Sequence, residues 1–203
     1  MKKAELPNML TLIRIIVIPI IIVSFYVPWK ITNLIAAALF MFASLTDFFD
    51  GYLARLYKVQ SNFGRCFDPI ADKLLVAVSL IMLVNFSSRN IFIVIPSLVI
   101  ICREILVSGL REFLATINVG MPVTKLAKWK TTIQMMAITA LLLASKDSYY
   151  TYENIMDYFE VEPFLRIFFN GLIEKIGIIM LNMAAILTII TGYAYYKVGI
   201  KNM

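Results

Sequence analysis

"TDFFDGYLARLYKVQSNFGRCFDPIADK", residues 46–73, sets four carboxylates, Asp47, Asp50, Asp68 and Asp72, between two strongly apolar runs. On a helix, residues three and four apart share a face. Asp47 and Asp50 fall on one stripe with Gly51 and Ala54, and Asp68 and Asp72 form an i, i+4 pair with Gly64 one turn earlier. Two adjacent helices built this way would aim four acids into one cavity, beside small residues that leave room for a bulky ligand. Four uncompensated anions at the edge of a membrane would repel one another and lose hydration. Carboxylates in such places pair, face a cavity or serve a function.

A divalent cation answers the problem directly. The sequence has no histidine, and its two cysteines, Cys66 and Cys102, form no paired metal motif, so zinc and haem lose their usual ligands. The remaining choice is a hard cation held by oxygen, Mg²⁺, Mn²⁺ or Ca²⁺. Metals held this way clamp phosphate or pyrophosphate and bear charge in phosphoryl transfer, leaving one carboxylate to accept a proton. Structural alternatives stand beside this reading. Asp68 followed by Pro69 reads as a helix N-cap with proline in the first turn. Asp47 and Asp50 could pair with Arg55 or Lys58 at a solvated helix end.

The rest of the composition fits a bilayer. Of 203 residues, 61% are hydrophobic and 16% charged, with a mean hydropathy of +0.83, more apolar surface than a water-soluble domain of this length needs. The net charge of +6 is spread between apolar stretches, where basic residues set topology or meet anionic head groups, so nucleic acid is not expected as a partner. The first apolar run carries Arg14 and has no small-residue cleavage pattern, and reads as a retained span. With no fixed-period repeat or linker, a single membrane-embedded domain over 1–203 is expected.

An all-α integral membrane protein of six transmembrane helices follows, with spans near 10–28, 31–55, 69–86, 91–110, 127–146 and 176–196. The segment 164–175, too short to span, reads as an interfacial helix. Most basic residues between spans, among them Arg55, Lys58, Arg65, Arg111, Lys125, Lys128 and Lys130, fall on one side. The acidic stretch 147–163 falls on the other. The positive-inside rule puts both termini, and the 46–73 segment, at the cytoplasmic face. Phe25, Tyr26, Trp29, Tyr193, Tyr195 and Tyr196 fit interfacial aromatic belts.

The carboxylate segment resembles the signature of the CDP-alcohol phosphotransferases: Asp, two residues, Asp-Gly, two residues, Ala-Arg, eight residues, Gly, three residues, Asp, three residues, Asp. Asp47, Asp50, Gly51, Ala54, Arg55, Gly64, Asp68 and Asp72 fill every fixed position. The resemblance implies that family's fold and a transfer from a CDP-linked lipid or alcohol. Asp47, Asp50 and Asp68 would hold Mg²⁺ or Mn²⁺, with Asp72 near the metal and acting as general base. Gly51, Ala54 and Gly64 would make the cytidine pocket, and Arg55 would pair with the nucleotide phosphate.

Further basic and polar residues bear on the acceptor. Asn8, Thr11 and Arg14 lie three apart at the cytoplasmic end of the first span, and Arg103 lies well inside the fourth with Arg111 two turns later. An arginine inside a span needs a reason, and a phosphate on the acceptor supplies one; an internal pair with Glu104 or Glu112 is the alternative. Lys128 and Lys130 fit either the same phosphate or anionic lipid. From Pro7 to about Gln134 these stretches also resemble the bacterial phosphatidylglycerophosphate synthases, a branch of the same family. That branch implies CDP-diacylglycerol and glycerol 3-phosphate as substrates, Arg103, Arg111, Lys128 and Lys130 at the acceptor phosphate, Asn8, Thr11 and Arg14 as first-helix contacts, a homodimer, and a place in the bacterial inner membrane. Two rivals remain: a sister enzyme using serine, an inositol phosphate or phosphatidylglycerol, and a cation or proton transporter with intramembrane carboxylates.

Overall fold

In the computed structural model, residues 5–27, 32–57, 62–87, 90–117, 119–120, 125–144 and 163–201 are described, with the side chains of 5–7, 32–33, 47–57, 62–63, 65, 125, 163–170 and 201 excepted. The described residues form six helices: α1 (Glu5–Tyr26), α2 (Thr32–Tyr57), α3 (Asn62–Phe86), α4 (Ile91–Thr116), α5 (Lys125–Leu143) and α6 (Pro163–Lys201). No strand occurs among them. Helices are what a bilayer permits, because each satisfies its own backbone polar groups.

Among the described residues, three segments are long and apolar enough to cross a membrane: Asn8–Tyr26, Ile91–Thr116 and Gly171–Ile200. Each of the other three expected spans carries its charges at one end, and the described apolar stretch of α2 is the shorter Leu34–Thr46. Those charges are Asp47, Asp50 and Arg55 in α2, Arg65, Asp68, Asp72 and Lys73 in α3, and Lys125, Lys128 and Lys130 in α5. The apolar remainder of these helices is divided between the core, with Phe40, Leu75, Leu80 and Ile138, and the outer surface, with Met41, Phe42, Ile81 and Met136. Large apolar side chains point outward from the bundle, including Ile95, Leu98, Ile105 and Leu106 of α4 and Ile179, Ile186 and Ile189 of α6. Such a surface would drive aggregation in water and is ordinary against lipid tails.

Helix α3 lies at the centre, packed against α1, α2, α4 and α5, while α6 lies along α4 and α5. The core combines bulky residues (Ile21, Phe40, Leu80, Ile100, Ile138, Leu181) with alanines, Ala36, Ala37, Ala137 and Ala184, that let backbones approach. At the α5–α6 seam the approach needs a glycine. A Cβ on Gly177 would stand 2.9 Å from Leu141 Cγ and 3.3 Å from Ala140 Cβ. Gly177→Leu is therefore expected to destabilise the bundle by about 1–3 kcal/mol, read as a lower unfolding temperature in detergent. An unchanged midpoint would contradict this packing.

Pro96 shows how the apolar interior handles a lost bond. Proline has no N–H, so the carbonyl four residues earlier, Phe92, loses its helical donor. Asn182 Nδ2 of α6 donates to the Phe92 carbonyl at 2.9 Å and to the Ile178 carbonyl at 2.8 Å, tying α4 to α6. The start of α4 is capped by Asn90, whose side chain accepts from the Phe92 N–H at 3.0 Å.

Three expectations are corrected here. Asp68 and Pro69 do not begin a helix, because α3 starts at Asn62 and places both about two turns inside; the N-cap reading of Asp68 is excluded. The expected interfacial helix at 164–175 is continuous with the last span as one 39-residue helix. Its apolar residues and single unbroken backbone make extension cheaper than a separate turn, which would expose unpaired backbone groups. Tyr195, expected in an aromatic belt, is 4% exposed and turned inward, whereas Tyr193 and Tyr196 stay exposed. The acidic stretch 147–162, with Lys2, Lys3, Trp29, Lys30, Lys58, Arg89 and Lys146, lies outside the described residues.

Candidate active site

Asp68 and Asp72 stand one turn apart on α3 and both are half-buried. From α1, the fully buried Thr11 donates its hydroxyl to Asp68 Oδ1, so the first helix braces one carboxylate. Arg14, one turn further along α1, is also fully buried, and Asn8 is half-buried. Spacing alone placed Asn8, Thr11 and Arg14 on one face, and the Thr11–Asp68 bond shows that this face turns toward α3.

Gly64 is buried on α3. Asp47, Asp50, Gly51, Ala54 and Arg55 lie on the C-terminal half of α2, which packs against α3, but their side chains lie outside the described ones. Among the described residues no group of three or more metal-ligating side chains occurs. Asp68 and Asp72 nevertheless suit a hard cation chemically: they offer only carboxylate oxygen, on one helix face, in a chain without histidine.

Beside Asp72 a cavity of about 220 Å³ opens between α3, α4, α5 and α6. It is bordered by Asp72 and Lys73, by Arg103, Glu104 and Arg111, by Lys130 and Gln134, and by Tyr195. Four cationic side chains thus face two acidic ones, an excess that favours an anionic guest. Lys128, expected beside them, is exposed and does not border the cavity. Its position two residues from Lys130 places it on another face of α5.

Arg103 is held from several directions. Its Nη1 lies 3.3 Å from Glu104 Oε1, its Nη2 donates to Thr191 Oγ1 at 3.0 Å, and its guanidinium lies 5.5 Å from the centre of the Tyr195 ring. Gly192 leaves room beside this side chain, since a Cβ there would make a tight contact of 3.1 Å with Arg103 Cγ. Glu104 Oε1 also accepts from Lys130 Nζ, so one carboxylate joins the α4 arginine to the α5 lysine. The internal pair weighed for Arg103 therefore exists, yet the same arginine borders the cavity. A bridging carboxylate lets two cations share a low-dielectric site while both remain beside the cavity, one resolution of the desolvation problem. Lys73 Nζ donates to Ser108 Oγ, which fixes a further cation between α3 and α4.

Sequence reasoning missed Thr191, Tyr195 and Gln134. Gln134 had a usable signal, because it lies one helical turn from Lys130 on α5. Thr191 and Tyr195 had none, because the last span reads only as apolar until α6 is seen against α4.

The chain is similar in sequence to proteins of one known family. Residues 4–190 match the family CDP-alcohol phosphatidyltransferase. The CDP-diacylglycerol–glycerol-3-phosphate 3-phosphatidyltransferase of Rickettsia felis is 47% identical over 193 residues, covering 95% of this chain and 94% of that protein. The proteins of the same name from Cereibacter sphaeroides and Haemophilus influenzae are 38% and 36% identical, covering 95% and 97% of this chain and 94% of each relative. With the match running through both the aspartate segment and the cavity-lining helices, the chain belongs to the CDP-alcohol phosphatidyltransferase family and is a transferase.

Proposed function

We propose that the protein transfers the phosphatidyl group of CDP-diacylglycerol to a hydroxyl of glycerol 3-phosphate, giving phosphatidylglycerophosphate and CMP. The observation that carries the reading is the cavity that sets Asp72 of α3 beside Arg103, Arg111 and Lys130. A proton acceptor and a cluster of phosphate-binding groups are what this acceptor requires. The names of the relatives support the same pair of substrates.

In this reading Asp47, Asp50 and Asp68 hold Mg²⁺ or Mn²⁺, with Asp72 adjoining, and the bound cation supplies charge neutralisation at the diphosphate. Arg55 pairs with the nucleotide phosphate, and Gly51, Ala54 and Gly64 leave room for cytidine. Arg103, Arg111 and Lys130 seat the acceptor phosphate, Arg103 through its planar fork and Lys130 as a point charge. Lys128, on the exposed face, is reassigned to anionic lipid. Thr11 orients Asp68, with Asn8 and Arg14 on the same helix. Asp72 takes the proton of the acceptor hydroxyl, whose oxygen attacks the phosphorus that carries diacylglycerol. The bond from that phosphorus to the bridging oxygen breaks, and CMP departs with that oxygen.

The basic loops support a multi-pass placement in a bacterial inner membrane with both termini cytoplasmic. One catalytic domain and a homodimeric assembly complete the reading. A transporter reading has no need of Gly51, Ala54, Arg55 and Gly64 at their offsets.

The test is CMP release from CDP-diacylglycerol with Mg²⁺, offered glycerol 3-phosphate, serine, an inositol phosphate or phosphatidylglycerol in separate assays. Release with glycerol 3-phosphate, far above the others, is expected. Release with serine and none with glycerol 3-phosphate would overturn the acceptor assignment.

A further inference from the structure

Gln134 is 2% exposed, borders the cavity that holds Asp72, Arg103, Arg111 and Lys130, and its Oε1 has no hydrogen-bond partner among the described residues. A buried amide oxygen left unmatched is costly, and buried polar groups are nearly always paired. Its chemistry narrows what it could pair with. An amide oxygen only accepts, so its partner must carry a donor hydrogen. The acceptor's phosphate is poor in donors and is already matched by the cationic side chains. The nucleophilic hydroxyl belongs beside Asp72.

One donor of the acceptor is then unassigned. Glycerol 3-phosphate carries a secondary hydroxyl between the attacking hydroxyl and the phosphate. Lys130 and Gln134 stand one turn apart on α5, so a ligand whose phosphate meets Lys130 passes Gln134 within a few atoms. We infer that Gln134 is a specificity residue whose Oε1 accepts a hydrogen bond from the non-reacting secondary hydroxyl of the acceptor. The inference rests on the acceptor reading above and deepens it. A site built to bind a hydroxyl discriminates against the analogue lacking it, because the buried oxygen is then left unmatched.

The test compares glycerol 3-phosphate with 3-hydroxypropyl phosphate, which keeps the primary hydroxyl and the phosphate but lacks the secondary hydroxyl. The wild-type enzyme is expected to prefer glycerol 3-phosphate by about 10- to 100-fold in kcat/KM. Gln134→Leu is expected to bring the ratio close to 1, mainly by slowing turnover of glycerol 3-phosphate. Gln134→Glu, which keeps an accepting oxygen at the same place, should retain a preference. A wild-type enzyme indifferent to the missing hydroxyl would overturn the inference without any variant. So would a Gln134→Leu enzyme slowed equally on both acceptors, the mark of a purely structural role. Absence of wild-type turnover with glycerol 3-phosphate, alongside turnover with serine, would instead refute the acceptor reading itself.

Discussion

Asp72→Asn is expected to lower CMP release by about 1,000-fold while leaving CDP-diacylglycerol binding measurable. The amide has nearly the shape of the carboxylate but cannot take a proton at neutral pH. Asp72 sits within α3, four residues beyond Asp68 and on the wall of the cavity that Arg103, Arg111 and Lys130 also border. The substitution should therefore remove the base and disturb the helix little. Thermal stabilisation by CDP-diacylglycerol and Mg²⁺ reports binding independently of turnover. Loss of turnover with retained stabilisation is the predicted pair of results. Wild-type turnover in Asp72→Asn would refute the base assignment.

Arg103→Ala is expected to raise the KM for glycerol 3-phosphate by about 100-fold, with little change in the KM for CDP-diacylglycerol. Arg103 is held by Glu104, Thr191 and the Tyr195 ring, so its guanidinium is oriented before the acceptor arrives. Arg103→Lys should recover little, because an ammonium on a flexible stem reproduces neither the planar fork nor the aromatic contact. A purely structural arginine would act only through Glu104. In that case adding Arg103→Ala to Glu104→Gln should raise the KM no further than Glu104→Gln alone, the reference that carries the loss of the Glu104–Lys130 pair. If Arg103 binds the acceptor, the double variant should be far worse than Glu104→Gln. A double variant equal to Glu104→Gln would favour the internal pair alone.

Much of this was legible in the residues. The apolar runs gave a helical membrane bundle, because a bilayer allows few alternatives and its thickness sets the helix length. The spacing of Asp68 and Asp72 gave their shared face, and the spacing of Asn8, Thr11 and Arg14 gave a face that α1 does turn toward Asp68. Where the pattern misled, local preference lost to continuity. Asp-Pro is a strong helix-start signal, yet α3 begins earlier, and the short apolar run at 164–175 joined the last span. Lys128 and Lys130 look equivalent as sequence, but two residues on a helix are far apart in angle, and only Lys130 borders the cavity.

What could not be read was tertiary. Nothing in "ITGYAYYK" distinguishes Tyr195 from Tyr193 or Tyr196, because all three fit an aromatic belt. The distinction comes from α4 lying against α6 so that Tyr195 meets Arg103. Glu104 was visible as a partner for Arg103, but its second partner, Lys130, is 26 residues away on another helix. No local period encodes that meeting.

The most direct measurement is a density map of the protein with CDP-diacylglycerol and Mn²⁺, using the anomalous signal of the metal to place the ion. Carboxylate oxygens of Asp47, Asp50 and Asp68 should lie about 2.0–2.3 Å from the ion, within the range of hard-cation coordination. The lipid-linked diphosphate should occupy the remaining positions, with Asp72 facing the acceptor cavity. An ion bound elsewhere, or α2 and α3 presenting these aspartates in divergent directions around the bound nucleotide, would contradict the account.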